Sequence, residues 1–123
     1  MTLNLKTVLV VDDEPVLRTI VREILHEEGY AVIEAADGSV MLEIMARERP
    51  DLVLMDVMMP GVDGREAYQV LRSREDLPDV PVVMMSAGVQ PIRLDPSIAA
   101  FLRKPFDVAQ LVELVVRLIG HPC

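Results

Sequence analysis

The most informative stretch of the chain is VLVVDDEP at residues 8–15, in which four apolar residues precede two aspartates, a glutamate and a proline. Because no polar residue interrupts the apolar run, the pattern indicates a strand buried on both faces, as in a parallel sheet. Pro15 suits the first turn of a helix, where its missing N–H leaves no hydrogen bond unmade. Apolar residues then recur at helical spacing, at Leu17, Ile20, Val21, Ile24 and Leu25, until Gly29 ends the pattern. The stretch therefore predicts a buried strand that leads into an amphipathic helix.

The same alternation of strand and helix continues to the end of the chain. Further strands are predicted at residues 31–34, 52–55, 82–85 and 101–102. Further helices are predicted around 40–45, over 65–72, and from the capping pair Asp107 and Gln110 to about Ile119. Between the fourth and fifth strands, Pro91 and Pro96 disfavour a regular helix, and at most a short one around 97–100 is expected. The alternation predicts a doubly wound α/β sandwich, with residues 1–123 as a single domain.

Composition narrows the functional classes. The 123 residues are 51% hydrophobic and 26% charged, which is typical of a globular domain. The formal net charge of -8 argues against nucleic-acid binding, which needs a basic surface. Cys123 is the only cysteine, so neither a disulfide framework nor a thiolate metal cluster is expected. No apolar run approaches the ~20 residues of a membrane span and no secretory signal is apparent, so we expect a cytoplasmic protein with no membrane partner.

Five residues with chemically useful side chains stand at the predicted carboxyl ends of strands. They are Asp12, Asp13, Asp56, Ser86 and Lys104. In a doubly wound sheet, ligands bind beyond these strand ends, at the point where the strand order reverses. Neighbouring carboxylates repel each other unless a cation offsets their charge, and Mg²⁺ is commonly held by carboxylates, a carbonyl and waters. The pattern therefore predicts a Mg²⁺ site that is open to a phosphoryl group.

The same residues meet the requirements of phosphoryl transfer, which are an in-line nucleophile, a metal and fixed positive charge. Asp56 is the candidate nucleophile, because carboxylates form acyl phosphates. Lys104 is placed to offset the charge of the transferred oxygens, and Ser86 to donate a hydrogen bond to one of them. The structural alternative is that Asp12 and Asp13 only cap a helix while Asp56 lies in a turn. Ser86 and Lys104 would then be ordinary strand-end and surface groups.

Four motifs together give the chain a family resemblance. They are VVDDE at residues 10–14, LMDVMMPGVDG at 54–64, Ser86-Ala87, and Lys104-Pro105-Phe106. In this order and spacing they resemble the receiver domains of response regulators, over nearly the whole chain. The resemblance implies a flavodoxin-like sheet of strand order 2-1-3-4-5 in a signalling domain that is not an enzyme. It also implies Mg²⁺ binding by Asp13, Asp56 and the main-chain carbonyl of Met58, with Asp12 acting through water.

The resemblance further implies a set of switching residues, which are Ser86 as the hydroxyl, Lys104 as the phosphate-sensing cation and Phe101 as the aromatic. The Lys104-Pro105 peptide bond would be cis. Phe101 lacks the hydroxyl that a tyrosine has in many relatives, and plain core packing explains it equally well. Ser86 and Lys104 are closer in sequence than is usual for the family. The fourth helix, which follows the fourth strand, is therefore expected to be shortened or irregular.

The expected function is that of a phospho-accepting receiver in a histidine-to-aspartate phosphorelay. By resemblance, a sensor histidine kinase or a histidine phosphotransfer protein would phosphorylate Asp56 and dock on an exposed part of the first helix that includes Arg18 and Arg22. Phosphorylation would switch protein–protein contacts. The alternatives are a receiver-like module that works without phosphorylation and a phosphate sink. A phosphohydrolase is disfavoured because Met58 stands where such enzymes carry a second acid.

The last helix has an unusually narrow polar face. Its strongly polar residues form a single stripe, made of Gln110, Glu113 and Arg117. Leu114 and Val116 flank this stripe, and we expect that they are not both buried within one copy of the chain. These positions are either scattered surface apolar residues, which are common, or a contact surface for a homodimer or a downstream protein target.

Overall fold

The computed structural model of the chain describes residues 5–59, 61, 63–87 and 96–123. In the described residues, strands and helices alternate in the predicted order as far as β4, and every predicted strand is present with bounds that shift by one residue at most. The strands are β1 (Thr7–Val11), β2 (Ala31–Ala35), β3 (Leu52–Asp56), β4 (Val82–Ser86) and β5 (Ala100–Arg103). The helices of the described residues are α1 (Pro15–Glu28), α2 (Gly38–Glu48), α3 (Gly64–Ser73) and α4 (Val108–Ile119).

The five strands form one sheet in the order β2-β1-β3-β4-β5, and every neighbouring pair is parallel. This confirms the predicted flavodoxin-like order. β1 has β2 on one side and β3 on the other, so the strand order reverses between β1 and β3. In that pair Val11 lies opposite Met55, which places Asp12 and Asp56 side by side where the two strands end.

Local signals in the sequence account for the helix ends. Pro15 occupies the first turn of α1, and Gly29 ends the helix with a left-handed φ of 104°. Asp107 caps α4 by accepting a hydrogen bond from the backbone N–H of Gln110, whose side chain accepts one from the Asp107 N–H in return. This reciprocal pair confirms the predicted capping box.

Two apolar clusters lie on opposite faces of the sheet, because successive strand residues point to opposite sides. One cluster joins Leu9, Val53 and Met84 to side chains of α2 and α3, such as Met41 and Tyr68. The other joins alternate residues of the same strands to α1 and α4. The sheet is therefore covered by helices on both faces, and its open crevice lies at the carboxyl ends of the strands.

The segment directly before β5 is irregular in its described part. Pro96 and Ser97 form a turn, and Ala100 is already part of β5, where it pairs with Val83. Residues 97–100 therefore form no helix and lead directly into β5, which agrees with the expectation of at most a short helix there. The rest of the proline-containing segment, residues 88–95, lies outside the described residues.

Candidate functional site

Three carboxylates meet where β1 and β3 end. Asp12, Asp13 and Asp56 each present an oxygen, and these oxygens lie within 4.8 Å of one another. Asp12 and Asp56 are buried and Asp13 is exposed, so the cluster opens to solvent on the Asp13 side. The register of β1 against β3 brings these residues together from positions that are far apart in sequence. Hard oxygen donors in this number and spacing suit a divalent cation such as Mg²⁺.

Lys104 faces the carboxylates from the end of β5. Its Nζ lies 2.9 Å from Asp12 Oδ2 and 3.4 Å from Asp56 Oδ2. The backbone N–H of Lys104 donates a hydrogen bond of 2.8 Å to the Ser86 carbonyl, which fixes the residue against β4. The Lys104-Pro105 bond is cis. Among the described residues, one ammonium therefore faces three carboxylates.

Burial and charge shift the protonation of this group. Burial raises the pKa of the Asp56 carboxyl above its ordinary value, and neighbouring Asp12 acts in the same direction, while Lys104 partly offsets both. Burial works against the ammonium of Lys104, but its contacts with Asp12 and Asp56 outweigh burial and raise the pKa of Lys104. The excess of negative charge makes the site favourable for an added cation.

The loop after β3 is held close to the site by Gly64. The backbone N–H of Gly64 donates a 2.7 Å hydrogen bond to the Val57 carbonyl, and Asp63 caps the helix that begins at Gly64. A Cβ on Gly64 would lie less than 3.0 Å from the carbonyl oxygen of Asp56. Only glycine therefore allows α3 to start against the end of β3. In the same loop the N–H of Met58 lies 3.4 Å from Asp56 Oδ1.

The structure places the remaining predicted residues as follows. Ser86 is buried at the end of β4, beside β3, so it lies at the same edge of the sheet as the carboxylates. Met58 follows Asp56 closely and has an exposed side chain. Phe101 lies on β5 with 41% of its surface exposed, so the interpretation as a plain core residue is wrong. β5 is an edge strand, and one of its faces is less covered than those of the central strands.

Sequence reasoning misses the partner of the arginines of α1. Arg18 and Arg22 are predicted to belong to an exposed docking surface, and in the structure both face β2 and form ion pairs with Glu34, with the Arg22 side chain still 38% exposed. The Arg18 side chain is only 16% exposed and also donates a hydrogen bond to the Asp12 carbonyl. The spacing of the two arginines places them on one face of α1. Their partner on β2 depends on the packing of that helix against the sheet, which the sequence pattern does not encode. The role of Gly64 is missed as well, since the pattern there predicts only a loop.

The two residues that flank the polar stripe of α4 differ in burial. Leu114 is buried in the cluster shared with α1, whereas Val116 is partly exposed. The expectation that they are not both buried is confirmed. Leu114 belongs to the core, so of this pair only Val116 is placed to take part in a contact surface on α4.

The fold and this edge of the sheet together define a class, that of parallel α/β domains with an acidic, lysine-flanked pocket at the strand-order reversal. The particular family follows from comparison with known proteins. The family model of the response regulator receiver domain matches residues 8–116, and the chain belongs to this family. Receiver domains are the signalling domains of two-component systems, as predicted.

Curated relatives agree with this assignment. The chain is 37% identical over 116 residues to the response regulator MprA of Mycobacterium leprae, covering 91% of this chain and 50% of that protein. It is 32% identical over 116 residues to the sporulation initiation phosphotransferase F of Bacillus subtilis, covering 91% and 92%. The chain thus spans about half the length of MprA and of several other curated relatives, but nearly all of the Bacillus protein.

Solved structures show the same fold. A CheY-like receiver domain from Methanospirillum hungatei superposes with a TM-score of 0.84 at 28% identity, covering 94% of each chain. The receiver domain of sensor histidine kinase PA1611 from Pseudomonas aeruginosa superposes with a TM-score of 0.81 at 31% identity, covering 94% and 98%. That structure has a magnesium ion coordinated in its active site cleft.

In the described part of this chain, none of the helices combines the length and apolar character needed to cross a bilayer.

Proposed function

We propose that this receiver domain accepts a phosphoryl group on Asp56 in a histidine-to-aspartate phosphorelay, and that its residues are specialised for signalling and not for turnover of a substrate. The observation that carries the proposal is that, in the described part of the chain, three carboxylates and the ammonium of Lys104 meet at the reversal of strand order. Of these carboxylates, Asp56 is the one at the end of β3, next to both Lys104 and the loop that contains Met58.

The donor set fits a magnesium ion. Asp13, Asp56 and the main-chain carbonyl of Met58 would hold it, with Asp12 beside them. All of these groups offer oxygen, and the cluster has an open side at Asp13, as Mg²⁺ with its retained waters requires. When bound, the ion neutralises charge on the oxygens of a phosphoryl group.

The chain's own residues supply the remaining parts of the transfer. A carboxylate oxygen of Asp56 attacks the phosphorus of a phosphohistidine, and the O–P bond forms as the P–N bond breaks. The imidazole leaves with the electron pair of that bond and takes a proton from solvent. Lys104 offsets the charge of the moving oxygens, and Ser86 donates a hydrogen bond to one of them. The product is an acyl phosphate on Asp56.

The new anion biases a two-state arrangement of the domain. Lys104, which now pairs with Asp12 and Asp56, gains a third anionic partner. Movement of Lys104 and Ser86 towards the phosphoryl group shifts the ends of β4 and β5. Phe101, which is partly exposed on β5, is in a position to change its packing in response. Phosphorylation thereby alters the surface near β5 and α4.

A phosphodonor assay tests the acceptor. With Mg²⁺ and acetyl phosphate, the wild-type chain is expected to gain a base-labile phosphoryl group, and Asp56→Asn is expected to gain none. Asp79→Asn is the matched control, because Asp79 is an exposed carboxylate that pairs only with Arg72 in the described structure. Mg²⁺-dependent labelling that persists in Asp56→Asn would rule out Asp56 as the acceptor.

A groove beside the site supports the proposal that the phosphodonor is a protein. It has a volume of about 660 Å³, lies between α1 and the start of α4, and extends to Lys104 and Ala87. Its walls are mainly apolar, formed by Leu17, Ile20, Ile24, Pro105, Phe106 and Val108. An amphipathic helix of a sensor histidine kinase or histidine phosphotransfer protein fits such a groove and would bring its phosphohistidine to Asp56.

A charge placed in the groove separates protein donors from small ones. Ile20→Asp is expected to slow transfer from a phosphorylated histidine protein by about tenfold, since it puts a charge into an apolar contact. Labelling by acetyl phosphate should not change. Val70→Asp is the control, because Val70 on α3 is 41% exposed, close to the 47% of Ile20, but lies on the opposite face of the sheet. Equal slowing by both variants, or slowing with acetyl phosphate, would contradict docking in this groove.

For output, the proposal is a contact through α4, either with a second copy or with a downstream protein target. The partly exposed Val116 beside the narrow polar stripe supports it. Val116→Glu is expected to weaken phosphorylation-dependent association, measured by light scattering after treatment with Mg²⁺ and beryllofluoride. Unchanged association in this variant, together with unchanged partner affinity, would exclude α4 as the output surface.

A further inference from the structure

Asp12 is held by its backbone as firmly as by its side chain. Its N–H donates to the Ala35 carbonyl at 3.1 Å, and its carboxylate accepts from the Glu14 N–H and from Lys104, each at 2.9 Å. Its carbonyl oxygen accepts a hydrogen bond of 2.5 Å from Arg18 Nη1. That carbonyl belongs to the peptide plane that joins Asp12 to Asp13. The orientation of this plane sets the direction in which the Asp13 side chain leaves the backbone.

Arg18 is itself fixed by the sheet. Its Nε lies 3.2 Å from Glu34 Oε1, and the other oxygen of Glu34 lies 2.8 Å from Arg22 Nη1. Glu34 is part of β2 and pairs in register with Val10 of β1, two residues before Asp12. Because the guanidinium is planar, binding Glu34 through Nε and the Asp12 carbonyl through Nη1 leaves it little freedom. Arg18 therefore links Glu34 of β2 to the backbone at the end of β1.

We propose that Arg18 is a positioning residue for the metal site, one that touches no carboxylate ligand but holds the Asp12–Asp13 peptide so that the Asp13 carboxylate faces Asp56. This inference rests on the proposed magnesium role of Asp13 and Asp56. Outer groups that orient metal ligands commonly contribute 10- to 100-fold to metal affinity. Arg18 acts on the backbone between two of the carboxylates, so an effect at the lower end of that range is expected.

The sign of the effect distinguishes positioning from simple charge. Arg18 is a cation close to an acidic cluster, so by Coulomb's law its removal alone would strengthen the binding of Mg²⁺. Loss of positioning would weaken binding instead. Arg22 provides the matched control, because it pairs with the same Glu34 and has the same charge but is not bonded to the Asp12 carbonyl.

The experiment compares the wild-type chain with Arg18→Met, Arg18→Lys and Arg22→Met. Calorimetry measures the Kd for Mg²⁺, and NMR of the metal-free proteins measures the Asp12 carbonyl ¹³C and Asp13 amide ¹⁵N shifts, which report that peptide directly. Arg18→Met is expected to raise the Kd about tenfold and to move both shifts. Arg22→Met should leave both shifts in place and leave the Kd unchanged or lower. Arg18→Lys, which can serve only one of the two acceptors well, should fall between wild type and Arg18→Met.

Several outcomes overturn the inference. An Arg18→Met protein that binds Mg²⁺ as tightly as wild type or more tightly excludes positioning, as does an equal loss of affinity in Arg18→Met and Arg22→Met. Should Arg18→Met fail to fold, Arg18→Lys carries the test alone, and wild-type affinity in that variant is then the contradicting result. If the wild-type chain binds no Mg²⁺, the proposed metal role fails. The metal-free NMR shifts then decide separately whether Arg18 holds the Asp12–Asp13 peptide.

Discussion

The two ends of the sheet differ in how their polar groups are balanced. At the carboxyl end, the described residues place three carboxylates against one ammonium, and two of the carboxylates are buried. At the amino end, the Tyr30 hydroxyl donates to the Gly120 carbonyl at 2.6 Å, and the Lys6 ammonium donates to the carbonyl of Ile119 at the end of α4. At the amino end, these donors are therefore satisfied by main-chain carbonyls. The carboxyl end, in contrast, keeps an excess of negative charge.

This difference indicates that contacts at the amino end stabilise the domain, whereas the reactive groups lie at the carboxyl end. The C-terminal residues return to the amino end, where the Pro122 carbonyl accepts from the Lys6 N–H and the Pro122 ring lies against Gly29. These contacts join the last helix to the first strand and to the turn before β2. The apolar clusters between the two ends keep the strands in register. Unbalanced charge at the open end is therefore tolerated because the rest of the domain holds it in place.

Gly64→Ala should produce the largest change, because it introduces a methyl group where α3 starts against β3. The new Cβ would lie within 3.0 Å of the Asp56 carbonyl, so the backbone of the site must move. We expect a loss of about 2 kcal/mol in the free energy of unfolding, as for overpacked core sites, although alanine favours helices by about 1 kcal/mol over glycine. Phosphorylation by acetyl phosphate should fall as well. Chemical denaturation and a labelling assay measure the two effects.

Gly61→Ala is the control for this prediction. Gly61 has a positive φ of 81°, but a Cβ there meets no atom within 4 Å. Its substitution strains only the local backbone, by about 1 kcal/mol, and should leave labelling close to wild type. If Gly64→Ala were no worse than Gly61→Ala in both assays, the close approach of α3 to Asp56 would not matter for the site.

Tyr30→Phe tests the amino end of the sheet. It removes the hydrogen bond to the Gly120 carbonyl and should lower the free energy of unfolding by about 1 kcal/mol. Labelling of Asp56 should be unaffected, because Tyr30 stands at the other end of the strands. Denaturation and the phosphodonor assay, run on the same preparation, check both parts. A labelling rate that fell in step with stability would mean that the two ends are coupled.

Asp56→Asn should have the smallest effect on stability, and in the opposite direction. Burial raises the pKa of Asp56 above its ordinary value of 3.8, so the folded state favours the protonated form and the ionised form costs stability near neutral pH. Removing the charge should therefore stabilise the metal-free protein at about pH 7 and raise its Tm. The cost of the ionised carboxylate disappears as the pH falls towards 3.8, so the gain from Asp56→Asn should shrink there.

Denaturation of both proteins at neutral and at acidic pH, without metal, measures this pH dependence. A gain that stayed constant with pH would indicate that the substituted amide side chain packs better, and not that the charge was unfavourable. A loss of stability at neutral pH would show that the ion pair of Asp56 with Lys104 outweighs the burial of the carboxylate.

Much of the fold is predictable because the strands are short, continuous apolar runs and the helices carry clear start and stop residues. Val8 to Val11 and Leu52 to Met55 indicate buried parallel strands, and both are buried throughout. Asp107 with Gln110 indicates the start of α4 correctly. The carboxylates and Lys104 are predictable as a group, since each directly follows a predicted strand and parallel strands end at the same edge.

Contacts between elements that are separated along the chain are not predictable in this way. The bond from Arg18 to the Asp12 carbonyl depends on how α1 lies across β1 and β2. The need for glycine at position 64 depends on the distance between α3 and the end of β3. Helical periodicity leaves open whether Leu114 or Val116 is buried, because both flank the polar stripe and only the rotation of α4 decides. These features arise from packing geometry, to which local patterns are insensitive.

The central claim is that the carboxyl end of the sheet is built to take up a cation together with a phosphoryl-like anion. An amide NMR titration with Mg²⁺ followed by beryllofluoride tests it most directly, because each residue at the two ends of the sheet gives its own amide signal. We predict saturable shifts at Asp13, Asp56, Met58 and Lys104, with Lys6 and Tyr30 unchanged. Signals that did not respond at the carboxyl end, or that responded equally at both ends, would contradict the account.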